Sequence, residues 1–187
     1  TTLLQNNELD LATDAVEKAL QLQPFSAAIH YNMGGIQKAK GQLGQAVDSY
    51  NKALQIQPEF CDAYNNLGIT LQEQGFFDQA IDNYQRALKI EPESFETYNN
   101  LGIALQGKNA LDAAIKSYRQ AIKLKPDSAE AHNNISITFR LKNELSAAFD
   151  SAKKNLQVNP DCADAQQNYS SLFGSLSNYD DVVKHSD

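Results

Sequence analysis

Asparagine side chains recur at a fixed interval along the chain, and their amides are its clearest candidates for binding chemistry. Five of them recur with a period of 34, namely Asn32, Asn66, Asn100, Asn134 and Asn168. Three of these directly follow another asparagine, at Asn65, Asn99 and Asn133. Because an asparagine amide carries one acceptor and two donor hydrogens, it can bond to both the C=O and the N–H of a passing peptide. A column of such amides would hold an extended polypeptide without reading its side chains.

A structural role for the same asparagines stays open beside this hypothesis. Their side chains would then pack between neighbouring helices and would meet no ligand. Even in a binding column, each hydrogen bond contributes only about 0.5–1.5 kcal/mol net. Since ordering a bound peptide costs free energy, five such bonds would give modest affinity.

No catalytic or metal-binding constellation accompanies the asparagines. His30 and His132 share one phase of this period but stand three intervals apart, so they are too distant to bind one metal ion. The sequence contains no GxGxxG motif, no phosphate-binding loop and no nucleophile elbow. We therefore expect a protein that is not an enzyme, needs no metal or cofactor, and uses the two histidines for packing.

The composition narrows the class of partner and the compartment. Acidic residues outnumber basic ones by 23 to 16, for a net charge of −7, which argues against nucleic acid as a partner. A membrane span would need a run of about 18 apolar residues, and the sequence has none. Cys61 and Cys162 stand far apart and outside any CxxC pair, which fits a reducing, cytoplasmic setting.

The prolines reveal the unit that repeats. All five, Pro24, Pro58, Pro92, Pro126 and Pro160, follow one another with the same period of 34. This spacing predicts four full repeats, with a partial repeat at each end, in one solenoid over residues 1–187. The repeats are 27–60, 61–94, 95–128 and 129–162, and the partial repeats are 1–26 and 163–187. With positions numbered 1 to 34 in each repeat, proline stands at position 32.

Within each repeat, columns of small residues indicate where two helices cross closely. Position 8 is Gly34, Gly68, Gly102, Ser136 and Ser170. Alanine fills position 20 throughout and position 27 in most repeats. Position 24 is Val16, Tyr50, Tyr84 and Tyr118, then Ala152. The large tyrosines are expected to fill the space beside the small residues, as close packing requires.

A turn at position 15 should divide each repeat into two helices. This position holds Asn7, Gly41, Gly75, Asn109, Asn143 and Ser177. Gly and Asn tolerate a left-handed backbone, and the proline at position 32 ends the second helix. The pattern predicts helix A over about positions 1–14 and helix B over about positions 15–30.

The repeat at 129–162 departs from this pattern. Position 24 is Ala152, and position 27 is Asn155 in place of alanine. A larger polar residue at a close crossing should loosen the packing, so we expect its helix B to be softer than the others.

The best-formed repeat reads AYNNLGITLQEQGFFDQAIDNYQRALKIEP over residues 63–92. Its aromatic, Leu-Gly, aromatic, Ala, aromatic and Pro spacing resembles the tetratricopeptide repeat. The resemblance implies an all-α, right-handed α-solenoid of stacked antiparallel helix pairs, in which helix A lines a concave groove. Positions 2, 5, 6, 9, 12 and 13 would face that groove. Position 12, which would also contact a bound peptide, holds Lys38, Gln72, Gln106 and Arg140.

The asparagine column is similar to the ladder in the repeat arm of O-linked N-acetylglucosamine transferases, where it grips substrate polypeptides. The resemblance therefore implies a scaffold that holds a protein or an extended peptide. The alternative is a substrate-recruiting arm of a larger glycosyltransferase, methyltransferase or sulfotransferase. Asparagine is also common at position 6 across the family, which keeps the structural role open.

Acidic residues at position 2 bear on the choice of partner. They are Asp62, Glu96, Glu130 and Asp164. They would favour a basic peptide over an acidic one, unless they serve only to complement the helix dipole. They also argue against RNA as the partner.

Repeats that clamp the C-terminal carboxylate of chaperones carry Lys and Arg at positions 2, 5 and 6, and these positions lack a cation here.

The two partial repeats predict a further contact. A turn at Asn7 would leave helix B of residues 1–26 almost uncovered, and Tyr179, Val182 and Val183 match the opening of a stunted helix B. These uncapped ends predict head-to-tail association between copies. The alternative is that the C-terminal segment folds back over its own end.

Overall fold

The computed structural model describes residues 2–161 and 163–184, with side chains over 8–161, 163 and 165–174. These residues form helices joined by short turns. The helices are α1 (Thr2–Leu22), α2 (Ala27–Ala39), α3 (Leu43–Ile56), α4 (Cys61–Glu73), α5 (Phe77–Ile90), α6 (Phe95–Gly107), α7 (Leu111–Leu124), α8 (Ala129–Leu141), α9 (Leu145–Val158) and α10 (Ala163–Lys184). None of the described helices is long and apolar enough to cross a membrane.

The helices pack in consecutive pairs within two compact units. Unit 1 is Thr1–Pro92 and unit 2 is Glu93–Asp187. In unit 1, α2 pairs with α3 and α4 with α5, while α1 packs on α2 and α3 on α4. In unit 2, α6 pairs with α7 and α8 with α9, while α7 packs on α8 and α9 on α10. The predicted all-α fold of stacked helix pairs is confirmed, and a single solenoid over 1–187 stays a prediction.

A left-handed residue at position 15 makes the turn inside each full repeat. The φ angles are 74° at Gly41, 82° at Gly75 and 62° at both Asn109 and Asn143. At the first of these turns, the Gly41 N–H donates to Lys38 O at 2.9 Å, and the Gln42 N–H donates to Gln37 O at 2.8 Å. Because the turn itself uses positions 14–16 to satisfy the last carbonyls of helix A, helix B begins at position 17, two residues later than predicted.

The predicted turns at Asn7 and Ser177 are wrong, because α1 and α10 run through them without a break. Asn7 tolerates a turn, but a residue that tolerates a turn does not by itself impose one. At Ser177 the left-handed backbone would be costly, since serine lacks the tolerance of Gly and Asn. The partial repeats are therefore single helices. The side chains of Tyr179, Val182 and Val183 lie outside the described residues, and head-to-tail association stays a prediction.

The close crossings in the first three pairs follow the small and large columns. The rings of Tyr50, Tyr84 and Tyr118 are at most 1% exposed. Each ring lies directly over the glycine at position 8, so a Cβ atom on Gly34, Gly68 or Gly102 would come within 2.4–2.7 Å of its Cε1 atom. Only glycine leaves room for the ring at that distance, which confirms the predicted packing.

The pair α8–α9 is built differently. Ser136 stands at position 8 and donates its hydroxyl to Ala148 O at 2.8 Å. Ala152 and Asn155 are buried, and the Oδ1 atom of Asn155 finds no hydrogen-bond donor among the described residues. The greater softness expected of α9 stays a prediction, but the structure supplies a reason for it.

Candidate peptide-binding groove

Three of the position 6 asparagines donate a hydrogen bond to the residue at position 5 of the preceding helix A. In unit 1, Asn66 Nδ2 donates to Tyr31 Oη at 2.7 Å. In unit 2, Asn134 Nδ2 donates to Asn99 Oδ1 at 3.1 Å, and Asn168 Nδ2 donates to Asn133 Oδ1 at 3.2 Å. Each bond joins position 6 to position 5 of the preceding helix A. This is the structural role that the sequence left open, and the Oδ1 atoms of Asn134 and Asn168 take no part in it.

The phenol of Tyr31, which accepts the hydrogen bond from Asn66, is half-buried in unit 1. Burial raises its pKa, and the charge of Asp62 raises it further, while the hydrogen bond from Asn66 lowers it. The phenol therefore stays neutral at physiological pH and serves as an acceptor between α2 and α4.

Asn99 lies inside the contact between α6 and α8, and only 4% of its surface is exposed. Its Nδ2 atom donates to Glu130 Oε1 at 2.9 Å, and its Oδ1 atom accepts from Asn134. Asn99 therefore joins two A helices and is not placed to meet a ligand. The same bond engages Glu130, one of the position 2 acids.

The residues at position 12 differ in what they contact. Lys38 Nζ lies 3.1 Å from Glu73 Oε1. Gln72 and Gln106 accept hydrogen bonds from the buried phenols of Tyr84 and Tyr118, at 3.2 and 3.3 Å.

Arg140 is the exception in this column. Its side chain is exposed, and it makes no hydrogen bond or ion pair with the described part of the chain. Three members of the column therefore contact other side chains of the protein, whereas Arg140 has no such partner among the described residues.

A pocket of about 380 Å³ lies between α8 and α10. Its walls are Asn133, Ile137, Arg140, Gln167, Asn168 and Ser171. Asn133, Arg140 and Asn168 were predicted from the sequence. Ile137, Gln167 and Ser171 were not singled out, although positions 5 and 9, where they stand, belong to the predicted inward set. The pocket combines amide donors and acceptors with one aliphatic wall and one cation.

The other predicted site residues are divided between the two units. Asn32, Asn65, Asn66, Lys38 and Gln72 lie in unit 1, whereas Asn100, Asn134 and Gln106 lie in unit 2 outside this pocket. Asn32 is exposed, and Asn65, Asn66, Asn100 and Asn134 are half-buried.

Family models match most of the repeats. Two models described as tetratricopeptide repeat match residues 59–127 and 99–160, and a third, described as TPR repeat, matches 34–75. Together they span residues 34–160. The chain is a tetratricopeptide-repeat (TPR) protein. No curated protein matches the sequence.

Solved structures of TPR proteins superpose on the chain. MamA is 24% identical with a TM-score of 0.78, and the match covers 83% of this chain and 91% of MamA. PilF of Pseudomonas aeruginosa is 20% identical with a TM-score of 0.80, covering 95% and 81%. YrrB, described as a TPR protein with an unusual peptide-binding site, is 26% identical with a TM-score of 0.75, covering 89% and 86%. At these identities MamA and PilF share the fold.

The two histidines at position 4 of the TPR repeat each join a helix A to the end of the preceding repeat. The Nε2 atoms of His30 and His132 lie 3.0 and 2.9 Å from the carbonyl oxygens of Pro24 and Pro126. The histidines satisfy a backbone acceptor at the end of helix B, so they hold neighbouring repeats together. Among the described residues, no group of three or more His, Cys, Asp or Glu side chains could hold a metal ion.

A larger pocket of about 580 Å³ lies in unit 1, lined by residues of α3, α4 and α5. Its charged residues are Asp48, Lys52 and Arg86, and the Arg86 guanidinium lies 5.8 Å from the centre of the Tyr64 ring. The pocket contains none of the predicted site residues, and charges of both signs line it. The smaller pocket of unit 2 differs from it in containing three of the predicted site residues.

Proposed function

We propose that this TPR protein is a scaffold that holds an extended polypeptide against the A helices of unit 2. The pocket between α8 and α10 carries this proposal, because it brings together three predicted site residues with an aliphatic wall. The A-helix surface and the peptide backbone are complementary, since amides supply both donors and acceptors.

The bonds between asparagines also favour binding. Asn168 is held by Asn133 Oδ1 and by Ser136 Oγ, at 3.2 and 3.3 Å. An amide that is already held loses little rotamer freedom when a peptide arrives, so less of the binding free energy is lost to ordering. The bonds between repeats and the binding of a ligand are thus compatible roles for the same side chain.

YrrB supports the proposal by analogy, since it is a TPR protein of similar fold described as having a peptide-binding site. TPR repeats generally act as non-catalytic scaffolds, and we propose the same for this chain. The alternative, a substrate-recruiting arm for a glycosyltransferase, methyltransferase or sulfotransferase, uses the same groove and stays a prediction. Any catalytic group in such a protein would lie outside this chain.

A selection experiment tests the proposal. The intact chain is used to select binders from a phage-displayed library of random twelve-residue peptides, and enriched sequences are made with acetylated and amidated ends for titration. Replacing Ile137 and Gln167 together by Ala should weaken binding about tenfold, since an apolar contact and a hydrogen bond are lost. Helicity by circular dichroism should not change, because Gln167 is exposed and Ile137 is half-buried.

The matched control removes the same atoms from another helix. Ile90→Ala with Gln85→Ala takes a half-buried isoleucine and an exposed glutamine from α5, and it should leave affinity unchanged. A selection that enriches no peptide, or peptides that bind the pocket variant as tightly as the parent chain, would overturn the proposal.

A further inference from the structure

We propose that the pocket between α8 and α10 selects an aspartate or glutamate side chain of the bound polypeptide, with Arg140 as its ion-pairing partner. This inference rests on the proposed function and names the peptide chemistry that the site prefers. It runs against a preference for basic peptides and favours the other role left open for the position 2 acids, which is to complement the helix dipole.

The charge of the pocket is the first argument. Among the six described residues that line it, Arg140 is the one that carries a charge. Its guanidinium presents several N–H donors in a planar fork that matches a carboxylate. The position 2 acid of the same helix, Glu130, stands ten residues earlier, or about 15 Å along the helix axis, and is hydrogen-bonded to Asn99.

The corresponding residue of unit 1 supplies the second argument. Lys38, at position 12 of α2, is neutralised by Glu73, at position 13 of α4. For Arg140, the residue at position 13 of the next helix A is Ser175, which carries no charge. Unit 2 therefore has no acid at the position from which Glu73 pairs with Lys38 in unit 1. A carboxylate of the ligand could pair with Arg140 instead.

The neighbouring amides supply the third argument. A carboxylate has about four lone-pair sites, and one guanidinium satisfies only two of them. The side chains of Gln167 and Asn133, which line the same pocket, carry N–H donors for the others. A single cation matches the single charge of a carboxylate, whereas a phosphate group carries roughly −1.5 to −2 and would require more than one.

A double-mutant cycle tests the pairing, with the selected, end-blocked peptides as probes. In these peptides the only carboxylates are Asp and Glu side chains, and each is replaced in turn by its amide. We expect one replacement to weaken binding to the parent chain about fivefold, the upper range for an exposed ion pair. The same replacement should change binding to the Arg140→Gln variant by less than twofold.

Two controls make the result specific. Lys153→Gln removes an exposed cation from α9 and should leave the fivefold effect intact. A peptide with lysine at the sensitive position should bind Arg140→Glu more tightly than it binds the parent chain.

Failure of this inference can be told apart from failure of the groove. Peptides that bind tightly but show no coupling to Arg140 would overturn the carboxylate preference and leave the scaffold in place. A phosphoserine that binds tenfold more tightly than glutamate at the sensitive position would make the pocket a phosphate site, and this too would overturn the inference. A selection without any binder would overturn both.

Discussion

The three helix pairs α2–α3, α4–α5 and α6–α7 solve the same packing problem differently from the pair α8–α9. In the first three, a glycine at position 8 lies under a buried tyrosine ring at position 24. In α8–α9 the ring is replaced by Ala152, and Ser136 donates a hydrogen bond to the facing helix at 2.8 Å. The smaller side chain of Ala152 at position 24 leaves room for the larger Ser136 at position 8. In a close-packed crossing, positions 8 and 24 must therefore change together.

This exchange also affects the candidate site. The Ser136 hydroxyl that replaces glycine accepts a hydrogen bond from Asn168, which lines the pocket. Aromatic bulk moves to position 21, where Phe149 contacts Tyr169 of α10 with ring centres 4.9 Å apart. The irregular pair is therefore the one that packs on α10 and holds the amide of a residue in the candidate site.

The largest expected effect comes from giving a regular pair the residue of the irregular one. Tyr118 is fully buried, so Tyr118→Ala should lower the free energy of unfolding by about 3–5 kcal/mol. Gly102→Ser should cost about 1–3 kcal/mol in the parent chain, because the new Cβ would lie 2.4 Å from the ring. With Tyr118→Ala present, Gly102→Ser should cost far less. Guanidinium titration of the four proteins measures this coupling.

A glycine with open space around it is the control for this cycle. Gly44 lies within α3 and would meet no atom within 4 Å, so Gly44→Ser should not destabilise the protein. Equal costs of Gly102→Ser with and without the tyrosine would show that the two positions are independent, which contradicts the comparison.

Much of the fold could be predicted because the same pattern of residues recurs along the chain, with five prolines at a period of 34. The prolines and the residues at position 15 punctuate the helices, and small columns mark the crossings. The terminal helices could not be predicted this way. Asn7 and Ser177 occupy the turn position, but α1 and α10 continue through them, because a residue that tolerates a turn does not by itself impose one.

The candidate site was only partly predictable. The inward positions indicated Asn133, Arg140 and Asn168, but Asn99 proved to be buried between α6 and α8. Asn99 is hydrogen-bonded to Glu130 and Asn134 of the next repeat. The spacing of residues in the sequence does not predict these side-chain contacts. Lys38 is paired with Glu73, whereas Arg140 lacks a partner among the described residues, and a list of residues at position 12 does not reveal this difference.

A smaller effect is expected from repairing the irregular pair. Asn155 is 3% exposed, and its Oδ1 atom lacks a donor among the described residues. Alanine, which fills this position in the other full repeats, removes the unsatisfied acceptor, so Asn155→Ala should raise the free energy of unfolding by about 1–2 kcal/mol. Native-state hydrogen exchange should show α9 opening more readily than α5 in the parent chain, and the difference should shrink in the variant.

The converse change tests the same reasoning. Ala121→Asn places the polar residue in a regular pair, where the alanine is fully buried, and it should destabilise the protein. If Asn155→Ala also destabilises, then the lost volume outweighs the unsatisfied acceptor, and the softness of α9 would need another cause.

The smallest effect concerns alkaline pH, to which the regular pairs should be more sensitive because they alone carry the position 24 phenol. Burial, with the nearby Tyr31 and Glu73, raises the pKa of Tyr50 to about 12 from 10.0. Below pH 10 both the folded and unfolded states keep the phenol proton, so the stabilising contribution is complete. Between pH 10 and 12 the unfolded state releases the proton first, and stability falls as pH rises.

Tyr50→Phe removes this contribution, so between pH 8 and 11 the variant should lose about 1 kcal/mol less stability than the parent chain. Urea titrations at both pH values measure the difference. The buried Cys61 thiol, whose pKa is raised to about 11, titrates in both proteins and cancels. An equal loss in both would mean that the Tyr50 phenol can ionise inside the fold, and that the glycine-and-tyrosine crossing of α2–α3 is less tightly closed than its 1% exposure indicates.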